Sequence, residues 1–284
     1  MSRPPFLDLP SCARAQSLRT SRGAFATHDA RPAETRGTVL LVPGFTGSKE
    51  DFIALLEPLA AAGYRAVAVD GRGQYESEGP REESAYAQAE LARDVIAQAE
   101  ALGGAVHLVG HSFGGLVSRA AVLLDVSPFR SLTLMSCGPA AIAEDQQART
   151  RLLLAALEQL DRESVWQEMQ KADAENATAE PTAPALREFL HRRWTGTTTG
   201  QLLVAGRQLT AEPDRTAELA AVDLPKHVLS GELDYAWPVP SIDAMAEKLS
   251  AARTVVAGAG HSPNAECPGA TAAALVDFWQ RVDA

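Results

Sequence analysis

The chain has 284 residues, 46% of them hydrophobic and 22% charged, enough for one large domain, or a core with one insertion, to be stable without disulfide or metal. Its 36 acidic residues against 26 basic ones give a net charge of −10, which repels phosphate backbones and argues against nucleic acid as a partner. Cys12, Cys137 and Cys267 are too few and too widely spaced for a disulfide framework or zinc site, and with no signal peptide or membrane-spanning apolar run the expected location is cytoplasmic, off the membrane.

In chain order, Gln16 to His28 reads as a weak hairpin turning at Arg22-Gly23. Thr38 to Val42 is a short continuous apolar run, as a strand buried on both faces requires. Ser48 then caps a helix with Asp51 in its first turn and Phe52, Leu55, Leu56 and Leu59 on one face. Ala66 to Val69 is the next strand and Ser84 to Ala101 the next helix. The strand Val106 to Val109 runs into the helix Ser112 to Leu124, and the strand Leu132 to Met135 follows. Past Asp223 the alternation continues with His227 to Leu229, Ser241 to Leu249, Thr254 to Val256 and Gly269 to Val282. This βαβ rhythm predicts an α/β protein whose mostly parallel sheet is covered on both faces, with its site at the carboxyl ends of the strands.

Residues 137–223 break the rhythm. Arg151 to Met169 carries Leu152, Leu153, Ala156, Leu160 and Val165 at helical spacing; Pro181 and Pro184 punctuate the stretch; Leu186 to Trp194 and Leu202 to Leu209 are helical again. The expectation is a core made of 1–136 and 224–284, with 137–223 inserted as a helical cap over the catalytic edge.

Gly110-His111-Ser112-Phe113-Gly114 matches Gly-x-Ser-x-Gly. A chain this long shows that pattern by chance about once in ten, but here it joins an apolar strand to a helix, the setting of a nucleophile elbow. The serine has to sit on a tight, strained turn, and glycines at 110 and 114 let strand and helix approach closely. With Pro43-Gly44-Phe45, Asp70-Gly71-Arg72-Gly73, Ser77-Glu78-Gly79-Pro80, Gly231-Glu232-Leu233-Asp234 and Gly258-Ala259-Gly260-His261, in order from about Gly37 to Phe278, the sequence resembles the α/β-hydrolase superfamily, in its cap-bearing esterase and lipase-like branch.

That resemblance implies a serine, acid, histidine order. His261 follows the strand Thr254 to Val256 through a glycine-rich turn that can present an imidazole as base. His107 and His227 lie within strands and belong to packing; His111 should point away from the site; His28 and His191 read as surface or cap residues. Asp234, just past His227 to Leu229, is the orienting acid, with Glu232 as its rival two residues away. Two backbone N–H groups should receive the developing oxyanion, those of Phe113 and Phe45, although many relatives carry His-Gly where this chain has Pro43-Gly44. The resemblance gives Asp70 a structural role.

The expected activity is hydrolysis of a carboxylic ester of a small, largely apolar substrate through an acyl-enzyme on Ser112, with no cofactor and no metal. A pocket ringed by Phe45, Phe113 and Trp237, with Trp194 overhead, would suit it, and Arg72 is the one cation able to approach. A receptor-like protein with a weak triad, or a perhydrolase, lactonase or carbon–carbon bond hydrolase on the same triad, stays open, because fold does not set substrate.

Overall fold

The computed structural model describes residues 2–175 and 182–284, so Pro181 lies outside the described residues. The chain opens with a hairpin, β1 (Ala13–Thr20) and β2 (Gly23–Ala30), joined through Ser21 and Arg22. Six strands follow: β3 (Gly37–Val42), β4 (Tyr64–Val69), β5 (Val106–His111), β6 (Phe129–Met135), β7 (Lys226–Gly231) and β8 (Ala252–Val256). All eight form one sheet in the order β1-β2-β4-β3-β5-β6-β7-β8. The hairpin and the β2/β4 pair are antiparallel; every other pair is parallel.

Strands β3 and β4 are largely apolar because both of their faces are covered. In β3, Leu40 and Val42 face one side with Val67 and Val69 of β4, against α2 (Gln88–Ala101) and α3 (Phe113–Leu124). Val39 and Leu41 face the other side with Ala66 and Ala68, against α1 (Ile53–Ala61) and α11 (Pro268–Asp283). The two-residue period of the strand thus feeds two cores, each fully buried Leu or Val contributing about 1.5–3 kcal/mol.

Between β6 and β7 lie α4 (Glu144–Gln159), α5 (Arg162–Glu175), α6 (Pro184–Gly196), α7 (Thr199–Ala211) and the short α8 (Thr216–Ala220). A third apolar cluster joins four of them: Leu154, Leu157, Val165, Trp166, Phe189, Trp194 and Leu202 are buried together. The last crossover carries α9 (Val239–Lys248), and the short α10 (Pro263–Glu266) follows β8. Among the described residues no helix is long and apolar enough to cross a membrane.

The elements depart from expectation in three places. Arg151 to Met169 is two helices, because the Asp161 carboxylate accepts the Ser164 N–H at 2.7 Å and starts a new one. The buried face of α4 carries Leu154 and Leu157, whereas Leu152 and Leu160 are exposed. The helix expected from Ser84 begins at Gln88, after a 3-10 turn over Glu83–Tyr86. The Asp51 carboxylate accepts the Ser48 N–H at 3.3 Å and the Ser48 hydroxyl donates to Glu50 at 2.5 Å, but what they start is first a 3-10 turn, Lys49–Phe52, that leads into α1.

Candidate active site

β3 lies between β4 and β5, so the chain leaves it on one side and returns on the other. At such a switch point the loops after the two strands splay apart and leave a crevice. Ser112, the residue after β5, stands there with φ 55° and ψ −121°. That backbone is strained for any residue with a Cβ. Neighbouring glycines allow it: a Cβ on Gly110 would collide with the Gly114 carbonyl, and one on Gly114 with the Val42 carbonyl. The turn is tight because nothing but hydrogen fits at 110 and 114.

The three residues singled out as a relay converge. The Ser112 hydroxyl donates to His261 Nε2 at 3.0 Å, and His261 Nδ1–H donates to Asp234 Oδ1 at 2.9 Å. A carboxylate only accepts, which fixes the proton on Nδ1 and leaves Nε2 free for the serine. Asp234 Oδ1 also accepts the N–H of Ala236 at 2.8 Å and of Trp237 at 3.3 Å. Burial works against the charge on Asp234, but the bond from His261 and those two N–H groups outweigh it and hold the carboxyl below its ordinary value. Gly231 lets the acid and base loops meet, since a Cβ there would strike the Gly260 carbonyl.

Glu232 does not compete for the imidazole; it accepts the Gly258 N–H at 3.1 Å and braces the base loop. Glu266, unmarked by any motif, does the same at the other end, accepting from the N–H groups of Gly260 and Ser262. Asp70 accepts the Lys49 N–H at 2.8 Å and its ammonium at 2.9 Å, so it ties the loop after β4 to the loop after β3.

Two histidines depart from expectation. His111 does not point away: its Nε2–H donates to the His261 carbonyl at 2.8 Å, and the two rings lie 5.2 Å apart. Burial pushes His111 down to about 4, so it is neutral. His28 is buried in β2, 3.6 Å from Glu50, and is no surface residue. His107 and His227 belong to packing as expected, paired with the hydroxyls of Ser131 and Thr254. His191 lies on α6 and bonds Glu163 at 2.6 Å.

A cavity of about 150 Å³ opens on Ser112 and His261. Phe45, Ile142, Leu209 and Tyr235 give it apolar wall; Thr46, Asp51, Gln146 and Thr150 give it polar wall. The expected aromatic ring is therefore mostly wrong. Of the four aromatics named, only Phe45 lines the cavity. Phe113 turns into the core on the other side of the elbow. Trp237 is buried and donates to the Ala140 carbonyl at 2.8 Å. Trp194 is held in the cluster of inserted helices, donating to the Arg162 carbonyl at 2.7 Å. Arg72 is drawn away by Asp94. Among the described residues no three His, Cys, Asp or Glu side chains are grouped to hold a metal ion.

A doubly covered, mostly parallel sheet with a serine on a strained strand–helix turn, hydrogen-bonded through a histidine to an aspartate, defines a class of α/β enzymes. The alpha/beta hydrolase family model matches residues 39–274, and the chain belongs to that family. A putative carbamate hydrolase, RutD, of Variovorax paradoxus is 37% identical over 99 residues, which is 34% of this chain and 37% of that protein. Epoxide hydrolase B of Mycobacterium tuberculosis is 35% identical over 94 residues, 33% of this chain and 26% of that one. The matched stretches thus span well under half the length of these relatives. A thermophilic esterase from Thermogutta terrifontis superposes with a TM-score of 0.75 at 22% identity, covering 96% of this chain and all of that one (100%); at that identity the likeness is one of fold.

Proposed function

We propose that the chain is a serine hydrolase that cleaves a small carboxylic ester through an acyl-enzyme. The observation that carries this reading is the continuous relay Ser112–His261–Asp234 at hydrogen-bond distances on a strained turn. His261 Nε2 takes the Ser112 proton as Oγ attacks the ester carbonyl, and Asp234 stabilises the imidazolium. The proton then passes to the departing alcohol oxygen, leaving Ser112 acylated. Water, deprotonated by His261, attacks the acyl carbon and releases the acid.

The developing oxyanion is assigned to the backbone N–H groups of Phe45 and Phe113. Two features support this. Neither N–H has a hydrogen-bond partner among the described residues. The loop carrying Phe45 also lies against the serine, since a Cβ on Gly44 would sit 3.0 Å from Ser112 Cβ. Phe113 opens α3, where the first N–H groups are unpaired and the dipole favours negative charge.

Residues 137–223 are assigned as a cap: the helices have a cluster of their own, and Ile142, Gln146, Thr150 and Leu209 wall the cavity. About 150 Å³ accommodates roughly a benzene-sized group, so short acyl chains should outpace long ones. Carbamate cleavage is a second reading, favoured by the likeness to RutD.

The test is covalent. A fluorophosphonate should label one residue per chain, and Ser112→Ala should abolish labelling with the far-UV circular dichroism unchanged. Equal labelling of the alanine variant would remove Ser112 from the role. A panel of matched short esters and carbamates separates the two substrate readings.

A further inference from the structure

One turn of α4 walls the cavity that holds Ser112 and His261. Gln146 and Thr150 are four residues apart, so they leave the helix on one face, and both line that cavity. The Gln146 amide nitrogen donates outward to Asp145 at 2.7 Å, which leaves its carbonyl oxygen free. Thr150 is the sharper case. A threonine inside a helix commonly returns its hydroxyl to a carbonyl one turn back, and Thr195, Thr210 and Thr271 do so here. The Thr150 hydroxyl makes no such bond and has no other partner among the described residues.

We propose that Gln146 and Thr150 form a hydrogen-bonding subsite that selects short esters bearing a neutral hydroxyl group. The inference rests on the serine-hydrolase reading above and adds a substrate class to it. A hydroxyl both donates and accepts; it can donate to Gln146 Oε1 while accepting from the Thr150 hydroxyl. An anionic group suits the site badly. No lysine or arginine is among the lining residues and Asp51 is, while the nearby guanidinium of Arg193 is already held by Asp51 and the Ser2 carbonyl. An isostere with methyl in place of hydroxyl fills the same volume but strips two polar atoms of water without replacing it, which costs binding.

The experiment uses two matched pairs of esters. Ethyl 3-hydroxybutanoate and ethyl 3-methylbutanoate differ by hydroxyl against methyl on the acyl side; 2-hydroxyethyl acetate and propyl acetate make the same comparison on the alcohol side. In the unaltered protein kcat/KM should favour the hydroxylated member of one pair by about tenfold or more, and that pair shows which side of the ester faces α4. Thr150→Val keeps the shape and removes the hydroxyl, and should bring the ratio to within about twofold of one; Gln146→Met should lower it part of the way. Ratios taken within one preparation cancel any loss of folded protein. Turnover of all four esters with ratios at or below one overturns the subsite. A preference that Thr150→Val leaves intact overturns it too. No turnover of any ester, with Ser112 unlabelled by fluorophosphonate, overturns the serine-hydrolase reading and the subsite with it.

Discussion

Ser112 occupies a backbone conformation that costs stability. Its φ of 55° with ψ of −121° is open to glycine but costs other residues on the order of 1–3 kcal/mol. Ser112→Gly should therefore unfold at higher urea than Ser112→Ala, by about 1 kcal/mol once glycine's greater unfolded-state freedom is subtracted. Equal midpoints would show that the turn stores no strain. The acid is tested at the same scale. Asp234→Asn disrupts the hydrogen bonding that selects the imidazole tautomer, so kcat for p-nitrophenyl acetate should fall about 10⁴-fold. Glu232→Gln still offers an oxygen to the Gly258 N–H and should cost less than about tenfold. The reverse order would move the orienting role to Glu232. The meeting of Ser112, Asp234 and His261 is legible in the sequence because each ends an apolar strand in a glycine-marked turn. Glu266 and His111 are not, since their work is on main-chain groups of the base loop, and no spacing rule records which backbone a side chain will reach.

At the scale of elements, the strands are easy to read and the inserted helices are not. A strand buried on both faces is apolar at most positions, whatever its neighbours. A helix shows its buried face only through its phase, and Asp161 resets that phase between α4 and α5. The cavity wall suffers most from this, because which aromatic faces Ser112 depends on how α6 and α7 sit on the sheet edge. One contact fixing that seating is the ion pair of Arg193 on α6 with Asp51, at 2.7 Å with both side chains fully buried. Arg193→Met leaves the Asp51 carboxylate buried without its counter-ion and should cost about 3–5 kcal/mol in urea unfolding. Adding Asp51→Asn removes the stranded charge, so the double variant should be more stable than Arg193→Met by over about 1 kcal/mol. Additive losses would mean that the two groups do not sense each other. The pair also joins α6 to the turn that follows the Phe45 loop, and Asn264 beside the base loop donates to the Asp51 carbonyl at 2.7 Å. The inserted helices, the Phe45 loop and the His261 loop therefore converge on one short turn.

Across the whole molecule, four buried histidines set how stability responds to acid. His28, His107, His111 and His227 lie on or at the ends of three strands, and burial pushes each down to about 4. Unfolded, each would take up its proton near its ordinary value of about 6.5. Between those two values the unfolded chain binds more protons than the folded one, so stability is greatest above about 6.5, declines as pH falls toward about 4, and levels off below. Each histidine contributes up to about 2 kcal/mol of loss between pH 7 and pH 5. Burial raises the Asp70 carboxyl, and that group opposes the trend; the carboxyls of Asp29 and Asp234, held below their ordinary values, lose their stabilising effect only at lower pH. The expected result is a lower urea midpoint at pH 5 than at pH 7. His227→Gln can keep a bond to the Thr254 hydroxyl without a titrating ring, and should narrow the gap between the two midpoints. An unchanged gap in that variant, or a wild-type midpoint that rises in acid, would mean that these histidines enter the folded state charged.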